Sequence, residues 1–384
     1  MPCERHRPLP RCRCAVSDVS ASLRRGVVPS AYDRGPRARQ LIRLQDVKRA
    51  EFYKVEGVRL TEKARPRPDP GSVLVAVRAC GLCTWEQRVY RGAKPHYPFA
   101  GGHEIGGVVV EAPGGEFPPG MTVAVSRLPR CRTCNACKSG KDNLCAYGTR
   151  AMSDPDGPGG LAEYVIASAC DIAAVPARSH AEAALVEPLA CVQNSLGIAQ
   201  VGRGTRLAII GNGFMGVLHA RAAAAVGAHV TLLRTDDPAP AGLEHAWPGE
   251  SLDADDPADR PQSSAFDAVI LIRDVVAKLP LAGDIARPGG VVSVFASLPM
   301  TEVIGLPTSL LRTKELRLTG AASHHERDFE LAGKMVDDGR VRVDDLIHRR
   351  FLLADLSDAL AFATTNDTGR VVVTIGPELN GAGT

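Results

Sequence analysis

The segment RLAIIGNGFMGVLHARAAAAVGAHVTLLR, residues 206–234, constrains this chain more than any other. An apolar run, a glycine turn, an alanine-rich stretch and a second apolar run read as strand, turn, helix and strand, a βαβ unit. Gly211, Gly213 and Gly216 fall in the G-x-G-x-x-G spacing. In that context the first glycine permits a tight turn and the second lets the backbone approach a pyrophosphate. The third lets helix and strand pack closely, with the phosphates at the helix N-terminus. A purely structural turn is the alternative. The later runs FDAVILI and GGVVSVFAS have the unbroken apolar character of buried parallel strands. A doubly wound α/β unit is therefore expected.

The end of the second strand bears on the cofactor. NAD enzymes usually carry an acid there for the ribose hydroxyls, whereas an arginine accepts a 2′-phosphate. Here the strand ends in Arg234, followed by Thr235 and Asp236. The pattern admits NAD or NADP and tilts modestly to NADP; a solvated strand-end charge is the other reading of Arg234.

Before this unit, roughly from residue 41 to 180, the grammar is different. SVLVAVRACGLC, EIGGVVVEA, MTVAVS and GGLAEYVIAS are short strand-like runs separated by Gly and Pro. They predict a compact, barrel-like all-β unit. SHAEAALVEPLACVQNSLGIAQ then has a helical period. Between Asp236 and Ser264 the chain is rich in Pro, Asp and Gly, and no regular structure is assigned. ERDFELAGKMVDDG reads as a helix and RVVVTIG as a strand, but periodicity does not say to which unit they belong.

A chain of 384 residues suffices for two domains, and 45% hydrophobic with 23% charged residues is a globular composition. The formal charge of +3 comes largely from the arginine- and proline-rich first 40 residues, expected to be a disordered extension. The remainder has no electrostatic footprint for nucleic acid. No run approaches the roughly 18 apolar residues of a membrane helix. A soluble, cytoplasmic protein is expected.

Four of the eleven cysteines crowd together as Cys131, Cys134, Cys137 and Cys145, in the spacing C-x2-C-x2-C-x7-C. Four thiolates on one loop suit tetrahedral structural zinc, with an iron–sulfur cluster as the runner-up. Cys83 in ACGLCTWE, His103 and Glu104 in GGHEIGG, and Glu187 in LVEPLA are candidates for a second metal site with an open position. Each alone has a bland reading, as a buried thiol or a surface charge.

Together and in this order, GLC, GHE, the four-cysteine loop, EPLA and GNGFMG resemble the zinc-containing medium-chain dehydrogenase/reductase family over residues 41–377. Glutamate in EPLA is similar to the sorbitol and threonine dehydrogenase branch. The resemblance implies a GroES-like β-rich catalytic domain (41–193 and 325–384) with an inserted Rossmann doubly wound parallel-sheet domain (194–324). It implies one catalytic zinc on Cys83 and His103, with Glu104 as ligand or outer partner. Glu187 would be a further ligand or a partner of water on the metal. It also implies one structural zinc on Cys131, Cys134, Cys137 and Cys145.

The implied reaction moves a hydride between a secondary alcohol and NAD(P), the alcohol being a polyol, sugar, aminocyclitol or hydroxy amino acid. A small-molecule alcohol or ketone would be the partner, in a homodimer or homotetramer. The chain departs from the family after Cys83. Trp85 stands where a serine or threonine is usual and Arg88 where a histidine often follows, so the usual proton relay is absent or rebuilt, with Thr84, Glu86, Glu104 or bound water as substitutes. The rival readings are an NADPH-linked ketone reductase without alcohol dehydrogenase activity, and a non-enzymatic zinc protein or redox sensor. His324 and His325 read as an exposed turn at the return into the catalytic domain, or as pocket lining. His219 reads as a packed helix residue.

Overall fold

The structure is a computed structural model that describes residues 46–93, 97–128, 130–148, 159–235, 247, 249–296, 302–305, 307–365 and 369–376. The expected extension at residues 1–40 and the alternative ribose partner Asp236 lie outside these residues.

β1 (Asp46–Lys54) and β2 (Gly57–Ala64) form an antiparallel hairpin. β3 (Ser72–Gly81), α1 (Thr84–Tyr90), β4 (Glu104–Glu111), β5 (Thr122–Val125), α2 (Asn135–Lys138), β6 (Tyr164–Ser168) and β7 (Ile172–Ala174) complete the first β-rich passage. α3 (His180–Ala184) and α4 (Val186–Ile198) lead out of it. The second unit runs β8 (Arg206–Ile210), α5 (Phe214–Ala225), β9 (His229–Arg234), β10 (Glu250–Asp253) and β11 (Phe266–Leu271). It continues with α6 (Val275–Ile285), β12 (Ala286–Val294), α7 (Thr308–Thr313) and β13 (Arg317–Gly320). α8 (Glu326–Asp337), β14 (Ile347–Leu352), α9 (Leu356–Thr365) and β15 (Arg370–Thr374) close the chain.

The second unit is a six-stranded, all-parallel sheet in the order β10-β9-β8-β11-β12-β13. Its central strands are apolar on both faces because both are covered. Leu207, Ile209 and Ile270 join one core cluster, while Ala208, Ile210 and Val269 join another. Each fully buried Leu or Ile contributes roughly 1.5–3 kcal/mol of transfer free energy. β10 is a difference from the sequence expectation: four residues of the Pro/Asp/Gly-rich stretch pair in parallel register with β9. The strand is too short and too polar to show a period-2 signal, and its neighbour supplies the pairing.

The tail falls in the first unit. β15 pairs antiparallel with β3, giving a sheet in the order β14-β15-β3-β4-β5-β7 with β6 also on β3. Leu82 N donates to Val371 O at 2.9 Å, so residues almost 290 apart in sequence meet at the end of β3. α8 is amphipathic, burying Phe329, Ala332, Met335 and Val336 in the cluster that also holds Leu189, Val192 and Leu196 of α4. α4 spans residues 193 and 194, the expected boundary between the units, and packs against the parallel sheet as well as β4 and β5.

Candidate active site

β3 and β4 are antiparallel, with Gly81 opposite Glu104. The end of one strand therefore meets the start of the next, which brings Cys83, just beyond β3, to His103 and Glu104. Two glycines make this approach possible. A Cβ on Gly81 would lie 2.0 Å from Glu104 Oε2. Gly102 has φ +94°, and a Cβ there would lie 2.5 Å from Leu161 N. The metal-binding atoms of Cys83, His103 and Glu104 lie within 4.8 Å of one another.

The surroundings of these three groups are specific. Glu86, fully buried on α1, faces His103 Nδ1 with Oε1 at 3.0 Å and accepts from Gly102 N at 2.9 Å. A carboxylate on one ring nitrogen fixes the tautomer and leaves the other for a metal. Burial opposes charge on His103, but Glu86 and Cys83 outweigh it and hold the pKa well above the usual value. Burial pushes the Glu104 carboxyl up to about 7, while Arg370 works in the opposite direction. Neither Glu104 oxygen meets hydrogen-bond geometry, although an Arg370 nitrogen lies 3.0 Å from Oε1. A thiol, an imidazole and a poorly satisfied buried carboxylate are a donor set suited to zinc.

Glu187, buried in the first turn of α4, stands outside that three-residue group. Cys191 Sγ donates to its Oε1 at 3.5 Å and His324 Nε2 lies 3.8 Å away. Thr84 is exposed in the first turn of α1, while Trp85 and Arg88 are half-buried.

The ligand atoms of Cys131, Cys134, Cys137 and Cys145 also lie within 4.8 Å of one another. A hydrogen bond from Thr133 and the N–H groups of Thr133 and Cys134 hold Cys131 down to about 5, whereas burial and the neighbouring sulfurs push Cys137 up to about 12. Four sulfurs this close do not all ionise without a cation among them, so this set too fits zinc. The loop is tied to the chain crossover. Arg130 Nε lies 2.5 Å from Asp142, Arg130 donates to His324 O at 3.0 Å, and His325 Nδ1 lies 2.6 Å from Asp142. His324 and His325 are thus buried, not in an exposed turn; these long-range partners have no local sequence signal.

At the glycine turn, Gly211 has φ +116° and a Cβ on Gly216 would lie 1.9 Å from Gly211 O, so both positions demand glycine. Gly213 caps α5 in an extended conformation. Asn212 Oδ1 accepts from Thr235 N at 3.2 Å, and Thr235 Oγ1 is buried without a hydrogen-bond partner among the described residues. Arg234 is half-buried, 4.0 Å from Asp253 of β10. This cradle of close backbone at a helix N-terminus fits a dinucleotide pyrophosphate. His219 is fully buried, as a packed residue should be.

Arg370, on which the sequence offers no motif, connects the two sites. It donates to Leu82 O at 3.2 Å, faces Glu104 and lies 4.2 Å over the ring of Phe214, the first residue of α5. Its only local mark is a charge at the head of an apolar strand. Glu86 is marked by its place three residues after Cys83, but its role toward His103 shows only in the fold.

Comparison with known proteins agrees with this geometry. Residues 69–177 match the alcohol dehydrogenase GroES-like domain. The chain is 30% identical over 284 residues to "Probable alcohol dehydrogenase AdhA" of Mycobacterium tuberculosis (strain CDC 1551 / Oshkosh), covering 68% of this chain and 78% of that protein. It is 27% identical to L-galactonate-5-dehydrogenase of Escherichia coli (strain K12) over 78% of this chain and 90% of the relative. A crystal structure described as a zinc-binding dehydrogenase from Sinorhizobium meliloti 1021, bound to NADP, superposes with a TM-score of 0.76 at 25% identity, over 86% of this chain and 99% of that one. With its GroES-like unit, its inserted parallel sheet and these relatives, the chain belongs to the zinc-dependent medium-chain dehydrogenase family.

Proposed function

We propose that the chain is an NAD(P)-dependent dehydrogenase of secondary alcohols, working at Cys83, His103 and Glu104 with the dinucleotide held at the glycine turn. The observation that carries this reading is the convergence of those three groups and their link through Arg370 to Phe214 at the head of α5. Bound there, zinc would supply Lewis acidity toward an alcohol oxygen, and a nicotinamide dinucleotide would supply the hydride acceptor.

The chain's own residues have separate tasks. Cys83 and His103 hold the zinc, Glu104 lies within ligand distance, and Glu86 orients the imidazole. Glu187, outside the group of three but close enough for its charge to be felt at Glu104, would accept a proton from alcohol or water held there. Thr84, exposed beside Cys83, would pass that proton to solvent. Gly211, Gly213 and Gly216 bring backbone and helix N-terminus to the pyrophosphate. Arg234 favours NADP over NAD through its charge at the end of β9. Cys131, Cys134, Cys137 and Cys145 hold a second, structural zinc. The assembly is a homodimer or homotetramer in the cytoplasm; no helix among the described residues is long and apolar enough to cross a membrane.

The relative named for L-galactonate supports a polyhydroxylated substrate. The test is a screen of polyols, sugars and sugar acids with both cofactors, read as reduced nicotinamide. Substrate-dependent reduction abolished by Cys83→Ser supports the proposal; ketone reduction with no alcohol oxidation at any pH favours a one-way reductase.

A further inference from the structure

At the N-terminal edge of the parallel sheet, the turn from α4 into β8 and the starts of β11, β12 and β13 border an open cleft of about 260 Å³. Its floor is apolar: Ala199, Ala268 and Val291 are buried there, at the end of the core that α4 shares with the sheet. Its rim carries Arg203, Arg287 and Arg317 against one carboxylate, Asp267. Burial works against ionisation of Asp267, but hydrogen bonds from Arg206 and Arg287 outweigh it and hold its pKa down to about 2. That charge is already engaged. Arg206 N and Nε donate to Oδ2 at 2.8 and 3.3 Å, and Arg287 Nε donates to Oδ1 at 2.6 Å. Arg287 also donates from Nη1 to Pro288 O at 2.9 Å, which leaves Nη2 without a partner among the described residues. The side chains of Arg203 and Arg317 form no hydrogen bond or ion pair among the described residues. The turn carrying Arg203 is fixed from within, Gly202 N donating to Thr205 Oγ1 at 3.0 Å and Gly204 N to Gly227 O at 2.8 Å.

The cleft is therefore cationic, and its guanidinium groups keep their charge at any physiological pH. Three such groups around one opening match a dianion with three terminal oxygens; a carboxylate offers two oxygens and one charge. The volume lies just below the range of drug-sized ligand pockets, about 300–1,000 Å³, and suits a compact metabolite. We infer that the cleft binds a phosphate monoester, its phosphoryl group held by Arg203, Arg287 and Arg317 and its organic part resting on Ala199, Ala268 and Val291. The site is separate from the dinucleotide cradle and does not depend on the dehydrogenase reading. Thr205, on the cleft, precedes β8 and Gly211 follows it, so the five residues of that strand, at about 3.3 Å each, stand between the two.

The experiment is isothermal titration of the full zinc-loaded chain, without nicotinamide cofactor, at physiological ionic strength. The probes are glucose 6-phosphate, glycerol 3-phosphate, inorganic phosphate and gluconate. The expected result is one phosphate ester bound per chain, at least tenfold more tightly than gluconate and more tightly than inorganic phosphate. Arg203→Gln combined with Arg317→Gln, two changes at exposed side chains, should weaken ester binding about tenfold for each guanidinium lost. Arg203→Lys combined with Arg317→Lys should retain part of the affinity, because the charge stays and the planar fork goes. Arg234→Ser, at the other end of the sheet, should leave the affinity unchanged. No binding of either ester at millimolar concentration, equal affinity for gluconate, or an affinity unchanged in the paired Gln variant would overturn the inference. Inorganic phosphate bound as tightly as the esters would overturn the assignment to an ester, and affinity lost in Arg234→Ser instead would move the binding to the dinucleotide cradle and overturn the site.

Discussion

Arg370 Nη2 lies 3.0 Å from Glu104 Oε1, with both side chains almost wholly buried. The pair ties together three parts of the chain: β15, the start of β4 and, through the Phe214 ring, the head of α5. It places a fixed positive charge between the proposed zinc ligands and the dinucleotide turn.

Removing one member of such a pair strands the other charge. Arg370→Met should destabilise the protein by about 3–5 kcal/mol, whereas Arg370→Met combined with Glu104→Gln should cost less than the sum of the single changes. Denaturant unfolding of the zinc-loaded proteins measures this. Additive effects would show that the two groups are not coupled.

Glu86→Ala removes the acceptor at His103 Nδ1 and frees the imidazole to rotate. Loss of an outer partner of this kind typically weakens metal binding about 10–100-fold. Competition with a chromophoric chelator should show the fall at one zinc and leave the other unchanged; equal affinity in the variant would remove Glu86 from the site.

Arg234→Ser should lower the ratio of kcat/KM for NADP to that for NAD by about tenfold or more, the scale of one lost charge-assisted hydrogen bond. Steady-state kinetics with each cofactor decides it. A ratio that stays constant would mean that Arg234, with Asp253 4.0 Å away, is a structural pair only.

His219 makes the stability of the parallel unit depend on pH. Burial holds its pKa down to about 4, from an ordinary 6.5, with Nδ1 donating to Met215 O at 2.7 Å. Below pH 6.5 the unfolded chain takes up the proton and the folded chain does not. This contribution is therefore complete above pH 6.5 and is lost as pH falls toward 4, up to about 3 kcal/mol. His219→Leu should flatten that limb of a plot of unfolding free energy against pH. An unchanged slope would assign the dependence to other groups.

What could be read from the sequence was local. β8, α5 and β9 announce themselves because the period changes within 29 residues, and Gly216 is forced by a clash that its own motif encodes. The four cysteines are legible because they share one loop. Arg370 and the burial of His324 were invisible for the opposite reason. Each takes its place only when β15 docks on β3, or when the crossover at 322–326 is clamped by Arg130 and Asp142, pairings between distant segments. β10 escaped because an edge strand of four polar-leaning residues owes its form to β9.

The most direct test of the central claim is the zinc content of purified full-length protein, measured with alcohol-dependent nicotinamide reduction in the wild type, Cys83→Ser and Cys134→Ser. The account predicts about two zincs per chain. Cys83→Ser should lose one together with all activity, and Cys134→Ser should lose the other with a fall in stability. One zinc per chain, lost only in Cys134→Ser, with full activity in Cys83→Ser, would contradict it.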